Sequence, residues 1–235
     1  MSRAVAINVG ANTSLPGFRG PIYPDGRFEY VPIPEREPVR EPVPTYGDLD
    51  RKFEVPDSLL DRRVHLDPSF VGYPGCEAYT YGDEHAVKAG PLSDLAAGDV
   101  VFFYATLSTV GDDPEPWIAP EWGAYVIGSF TLAADPVSGE EYLELPEADR
   151  APFASNAHCK REVFDAEVLL VGDPERSGLR DRALPLSGER GSEPNRIVTD
   201  LSSDSGKGPW WRRPLRFDGE ATDELLSLSP ADLDF

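Results

Sequence analysis

Side chains able to move a proton near neutral pH are few in this chain. It holds three histidines, His65, His85 and His158, among 42 aspartates and glutamates. His65-Leu66-Asp67 sets an imidazole and a carboxylate two positions apart, and in extended backbone such residues project to the same side. That pair can orient a general base or ligate a metal, while Asp67-Pro68 equally suits a turn or a helix cap. The stretch Ser155–Arg161 gathers Asn156, His158, Lys160 and Arg161. In a helix, Asn156 and Lys160 share one face and His158 and Arg161 another. The two cations then suit a phosphate, or else a helix start with salt-bridged bases. Tyr81 and Asp83, in Tyr79–Asp83, offer a ring to stack on a base beside an acid, or a packed aromatic corner. Lys207–Arg216 carries four cations, Trp210, Trp211 and no acid. This mixture fits a single-stranded nucleic-acid contact, or a hydrophobic clasp holding the tail to the core. Val9–Thr13 is a glycine-bearing strand exit that lacks both the dinucleotide and the P-loop glycine patterns, so a tight turn is expected, with Asn12 and Arg19 as candidate ligand contacts. The histidines and the two cysteines, Cys76 and Cys159, show no zinc-type spacing, so no bound metal is expected and both thiols read as free. No cofactor signature stands out.

Charge says less about partners than its size suggests. The formal charge is −20, spread along most of the chain, and only four of the 22 basic residues are lysines. Excess carboxylate with arginine in place of lysine suits concentrated salt, where the screening length falls to about 3 Å at 1 M. A mimic of DNA would need charge spaced like phosphates, and this pattern is diffuse. No run of 18 apolar residues occurs and the start lacks a signal-peptide pattern, so a soluble, cytoplasmic, salt-adapted protein is expected, with no membrane association.

The elements that must position these residues follow from periodicity. Apolar runs predict strands at 3–9, 100–107, 122–133 and 167–172, and alternation predicts another at 27–33. A helical turn over 92–99 closes at Gly98. Six prolines between 32 and 56 break any periodic element, leaving an extended arm that wraps the core or hangs free. Residues 177–182 read as a helical or turn segment and 183–186 as a last short strand. A mobile loop is expected over 187–208, with one helical turn near 197–201, and the acidic tail 218–235 allows a short docking helix through Leu225, Leu226 and Leu228. Strands outnumber helices and no βαβ rhythm appears. The expected fold is therefore α+β, with a mixed, largely antiparallel or barrel-like sheet core, short peripheral helices and long loops. We read one domain over 1–187, followed by the loop and tail of 188–235.

Several stretches, in order, resemble the third family of nucleotide modification associated domains, found in microbes and phages. They are Val9–Thr13, Arg19–Tyr23, Asp25–Glu35 with its Phe-Glu-Tyr-Val-Pro-Ile-Pro-Glu run, His65–Phe70, Thr80–Asp83, Gly98–Ala105, Tyr125–Phe130, Asn156–His158 and Ser177–Ala183. The resemblance implies an association with DNA-base modification systems and assigns no catalytic residue. Where this chain has Asn12 an Asp commonly stands in the family. The Gly98-Asp99 entry into an apolar strand is also similar to the small barrels of the PUA-like class.

Together these readings predict a nucleotide or nucleic-acid end held in a pocket. His158, His65, Asp67 and Asp83 are the catalytic candidates, with His158 as general acid or base. Asn12, Arg19, Tyr81, Asn156, Lys160, Arg161, Ser177, Trp210 and Trp211 are the nucleotide-binding candidates. Two alternatives stand beside an enzyme: a non-catalytic reader of modified nucleic acid, and a structural subunit working with other proteins of a modification system.

Overall fold

A computed structural model describes residues 2–233. Of the tail, Asp234 and Phe235 lie outside the described residues, as does Met1. The fold is α+β, 21% helical and 28% strand, and its sheets do not close into a barrel. The chain divides into two compact units, one of Met1–Val31, Asp99–Ser129 and Leu179–Phe235, the other of Pro32–Gly98 and Phe130–Gly178. Position 187 thus falls within the first unit.

The first unit is built on the most apolar run of the sequence. Val100–Thr109 is buried from Val100 through Leu107, which requires cover on both faces. It has the strand Ala4–Asn8 beside it in parallel, Ala4 opposite Val100 and Asn8 opposite Tyr104. Leu215–Phe217 pairs antiparallel with the far side of Ala4–Asn8. On the opposite flank the order continues through Trp122–Thr131 to Gly178–Pro185, and Gly20–Ile22 also pairs with Val100–Thr109. Phe102, Tyr104, Val126, Leu184, Trp210, Phe217 and Leu225 pack into one buried cluster.

The tail helix Gly219–Ser227 starts where the Asp218 side chain accepts the Ala221 amide at 3.0 Å, a capping bond that satisfies one orphan donor. Leu225 is fully buried and Leu228 nearly so, while Leu226 points to solvent. The loop expected to be mobile is anchored instead: Ile197 and Val198, in a single wide helical turn Ile197–Leu201, are fully buried. Two other elements differ from the sequence reading. Residues 177–182 are not helical, because Gly178–Pro185 is a strand whose first half carries exposed or half-exposed residues. The strand expected at 27–33 reduces to an isolated bridge of Phe28 to Ile22 and a two-residue strand, Ile33–Pro34.

The second unit holds short sheets and the proline-rich arm. Thr80–Asp83, Val168–Val171 and Val137–Ser138 form an antiparallel sheet with Val168–Val171 central. The helix Ala86–Ser93 follows Thr80–Asp83, and Gly139–Glu144 opens on a reciprocal Ser138/Glu141 capping box. The arm wraps its unit. Ile33–Pro34 pairs with Val64–His65, Ile33 opposite His65. Farther along, the Arg40 amide bonds the Lys160 carbonyl at 2.8 Å and the Glu162 amide bonds that of Pro38 at 2.9 Å. Tyr46 is fully buried and donates its hydroxyl to the Pro32 carbonyl at 2.7 Å. Prolines exclude ladder bonding over most of this stretch; the few amides that remain find partners and fix its path.

Candidate functional site

Three segments of the second unit gather with the Thr80–Asp83 strand around Asp67. The first is the arm, which turns at Glu35. The second is the Val64–His65 strand and the two residues after it. The third runs through 153–165, held down by a small apolar cluster in which Phe153, Ala166 and Leu169 pack with Tyr142 and Phe164, the last two rings stacked at 4.8 Å.

His65 and Asp67 do project to the same side, with Nε2 of His65 3.9 Å from the Asp67 carboxylate. His158 Nε2 reaches the same oxygen at 3.3 Å. The two imidazoles sit edge to face, their centres 4.9 Å apart. The other nitrogen of each ring is held by a second acid: His65 Nδ1 lies 2.7 Å from Glu35, and His158 Nδ1 2.8 Å from Asp165. An ionised carboxylate can only accept, so each Nδ1 donates a hydrogen to its acid, and each Nε2 faces Asp67. Asp67 in turn accepts the Gly82 amide at 2.9 Å and the Asn156 side-chain amide at 3.2 Å. Asn156 uses its oxygen to receive the His158 amide at 3.0 Å.

Gly82 has a steric reason to be glycine. A Cβ there would lie 2.8 Å from the His158 ring and 3.1 Å from Leu169. Alternation along Thr80–Asp83 then decides which side chains join the site. Thr80, two positions before Gly82, has its hydroxyl 3.4 Å from Asn156. Tyr81 and Asp83 bond each other instead: the Tyr81 hydroxyl donates to Asp83 at 2.6 Å, and Lys88 approaches that carboxylate to 3.5 Å.

Arg161 closes the outer side. Its guanidinium bonds Glu35 at 3.0 Å, and Glu84 and Asp165 as well. The stretch 154–160 is a run of turns rather than a helix, yet it brings His158 and Arg161 together, with Nη1 3.2 Å from His158 Nδ1. Glu35, His65, Asp67, Asn156, His158 and Arg161 are all buried, whereas the side chains of Glu84 and Asp165 keep 36% and 31% exposure. The cluster therefore meets solvent at the Glu84 and Asp165 edge.

Its electrostatics follow from these bonds. Burial alone would lower the His158 pKa, but hydrogen bonds to Asp165 and Asp67 and the charge of Asp67 outweigh it and lift the group to about 9. Burial pushes the Asp165 carboxyl up, and the bond to His158 with the charges of His158 and Arg161 brings it down to about 2. Glu35 is likewise penalised by burial, yet His65, the Glu37 amide and Arg161 hold it at about 2. Arg161 is raised further by Glu84 and Glu35 against its own burial. Such a site can hold a proton between two acids. Alternatively it can hold a cation, since ligand atoms of His65, Asp67 and His158 lie within 4.8 Å of one another, as do those of a second set, Glu84, His158 and Asp165.

The remaining candidates sit elsewhere. Lys160 is half-buried and makes no ion pair among the described residues. Ser177 is half-buried, its hydroxyl close to Gly172. In the first unit, the Asn12 side chain accepts the amides of Ser14 and Leu15 at 2.8 and 3.2 Å, a local turn. Arg19 lies over the Trp122 ring at 4.4 Å. Trp210 is fully buried and donates its ring N–H to the Ser192 carbonyl at 2.9 Å, with Trp211 edge-on against it.

Glu35, Glu84 and Asp165 escaped the list of candidates. For Glu35 the one available signal was its place at the end of the Phe28–Glu35 run; nothing in the spacing marks Asp165 except seven residues of separation from His158.

A family model described as "Nucleotide modification associated domain 3" matches residues 3–227. No curated protein and no solved structure matches the chain. Because that match runs through both compact units and all but the ends of the sequence, the chain belongs to the family of nucleotide modification associated domain 3.

Proposed function

We propose that this nucleotide-modification-associated protein binds a nucleotide or a nucleic-acid end at the Glu84 and Asp165 edge, and that the chemistry is done at the buried His65, Asp67 and His158 behind it. One observation carries the reading. Two of the chain's three histidines, 93 positions apart in sequence, turn their Nε2 atoms to one carboxylate oxygen, each fixed from behind by another acid. A packing role would be met by apolar residues of the same size, often with equal or greater stability. Lys160, next to Arg161 and without an ion pair among the described residues, is the cation available for phosphate. Arg161 is already committed to three carboxylates.

The test compares three otherwise identical cells: with the intact gene, without it, and with His158→Ala. Digested DNA, RNA and the free nucleotide pool are profiled by mass spectrometry. A nucleoside difference between the first two that His158→Ala abolishes, with the variant protein still folded, supports a reaction at this site. Identical profiles in all three fractions refute it.

A further inference from the structure

The same cluster has the composition and layout of a metal site. His65 Nε2 and His158 Nε2 converge on Asp67 Oδ2 from two segments, at 3.9 Å and 3.3 Å, and ligand atoms of the three residues lie within 4.8 Å of one another. Nitrogen and oxygen atoms bound to one ion at about 2.1 Å lie about 3.0–3.5 Å from each other in octahedral or tetrahedral geometry. Closing this set around an ion therefore takes shifts on the order of half an ångström to an ångström, within reach of side-chain torsions.

The surroundings match as well. Metal-bound histidines ordinarily give their other ring N–H to a carboxylate, which fixes the tautomer and turns the free lone pair to the ion. Here both do, His65 to Glu35 and His158 to Asp165. Asp67 is itself oriented by the Gly82 amide and the Asn156 side chain. Charge points the same way. Four carboxylates, Glu35, Asp67, Glu84 and Asp165, gather around one guanidinium, which pairs with three of them, and around His158, which pairs with Asp67 and Asp165, so acids outnumber these cations and a divalent ion adds positive charge. All three ligand residues are buried, which separates this set from the second one, where Glu84 is exposed.

We propose that His65, Asp67 and His158 bind a divalent first-row transition metal ion, with its remaining positions open to water or substrate. An ion there takes the place of the proton that otherwise links His158 Nε2 to Asp67. The two-imidazole, one-carboxylate donor set suits zinc, iron, cobalt or nickel over magnesium or calcium, which prefer oxygen donors. A set drawn from positions 65, 67 and 158 has no local motif, so the spacing of histidines and cysteines gives no sign of it. The proposal concerns the site named above but is measured without nucleotide, so either reading can fail alone.

The test uses the tag-free full chain, stripped with chelator, and Zn(II) or Co(II) as probe. In a Zn(II) titration followed by NMR of the histidine rings, the signals of His65 and His158 should move and saturate at one ion per chain, while those of the exposed His85 stay. Co(II) should give ligand-field absorption without a thiolate charge-transfer band. His65→Gln and Asp67→Asn should each weaken binding by more than about 100-fold, beyond the usual effect of an outer partner, and Glu84→Gln by less than about tenfold. Failure of Zn(II) and Co(II) to saturate the wild-type chain overturns the proposal. So does movement of His85 alone, a thiolate band, or loss of binding in Glu84→Gln with His65→Gln unaffected. The wild-type titration decides even if a variant does not fold.

Discussion

Replacing Arg161 with Met removes the guanidinium and keeps most of the apolar stem. Three acids lose a partner, and they lose unequally. Glu84 and Asp165 are about a third exposed and recover water. The Glu35 side chain is 2% exposed and keeps only His65 and two backbone amides, those of Arg36 and Glu37. Breaking a buried pair by deleting one partner costs about 3–5 kcal/mol, mostly from the charge left behind. Because Glu35 retains other donors, the lower part of that range, about 3–4 kcal/mol, is expected.

Both cysteines are in the second unit with Arg161, and all four tryptophans, Trp117, Trp122, Trp210 and Trp211, are in the first. Thiol labelling of Cys76 and Cys159 across a urea series therefore reports on the unit that carries the substitution. With an m-value of about 1.5–2 kcal/mol/M, the midpoint should fall by about 2 M. The double variant Glu35→Gln, Arg161→Met should recover at least about 1 kcal/mol, since the stranded charge is gone. The deficit should persist in 2 M KCl, as buried pairs are screened little. A loss below about 1 kcal/mol, the size of an exposed pair, would refute the claim that Arg161 neutralises a buried acid.

Other consequences are open to measurement. Gly82→Ala should destabilise by about 1–3 kcal/mol through overpacking against His158 and Leu169 and move the His158 ring signals; unchanged signals would count against the tight approach. Leu225→Ala should cost about 2–4 kcal/mol, read by tryptophan fluorescence because Leu225 and Trp210 belong to one core, and no shift would mean that the tail is not docked. Burial raises the Cys159 pKa to about 11 against the Tyr142 hydrogen bond, so roughly one molecule in several thousand is thiolate at pH 7.5. Alkylation of native protein should accordingly be far slower than in urea, and equal rates would contradict the burial. Finally, screening the self-repulsion of a −20 chain should raise the melting midpoint as KCl goes from about 0.1 to 2 M; a flat response would remove the salt-adaptation reading.

What the sequence made legible were local facts. Val100–Thr109 and Trp122–Thr131 are long apolar runs, and no other element suits them. His65 and Asp67 were named for an alternation that extended chain would give, yet the strand ends at His65 and a tight turn, the Asp67 amide on the His65 carbonyl at 3.0 Å, brings the two side chains together; the density of functional types around His158 flagged the right segment. Elements whose burial is set from elsewhere were harder. Gly178–Pro185 opens with Gly-Leu-Arg-Asp-Arg, which looks like a turn until a neighbouring strand claims its backbone. The indoles of Trp210 and Trp211 would read the same whether they stacked on bases or filled a core; the surrounding leucines and the Ser192 carbonyl put Trp210 in the core.

The site itself shows why long-range closure is the hidden part. Glu35, His65 and His158 are separated by 30 and 93 positions, and the entropy of closing a loop grows only with the logarithm of its length. Separation therefore carries almost no penalty and almost no signal. A proline-rich arm has no period to read, yet the few amides its prolines leave free decide where it lies, and so bring Glu35 to His65 and Arg161. Residue types were enough to name His65, Asp67, Asn156 and His158 as candidates and to place Asp83 with them. Only the alternation of side chains along Thr80–Asp83, with Gly82 facing the histidines, shows that Asp83 bonds Tyr81, while the acids behind the two rings are Glu35 of the arm for His65 and Asp165 for His158.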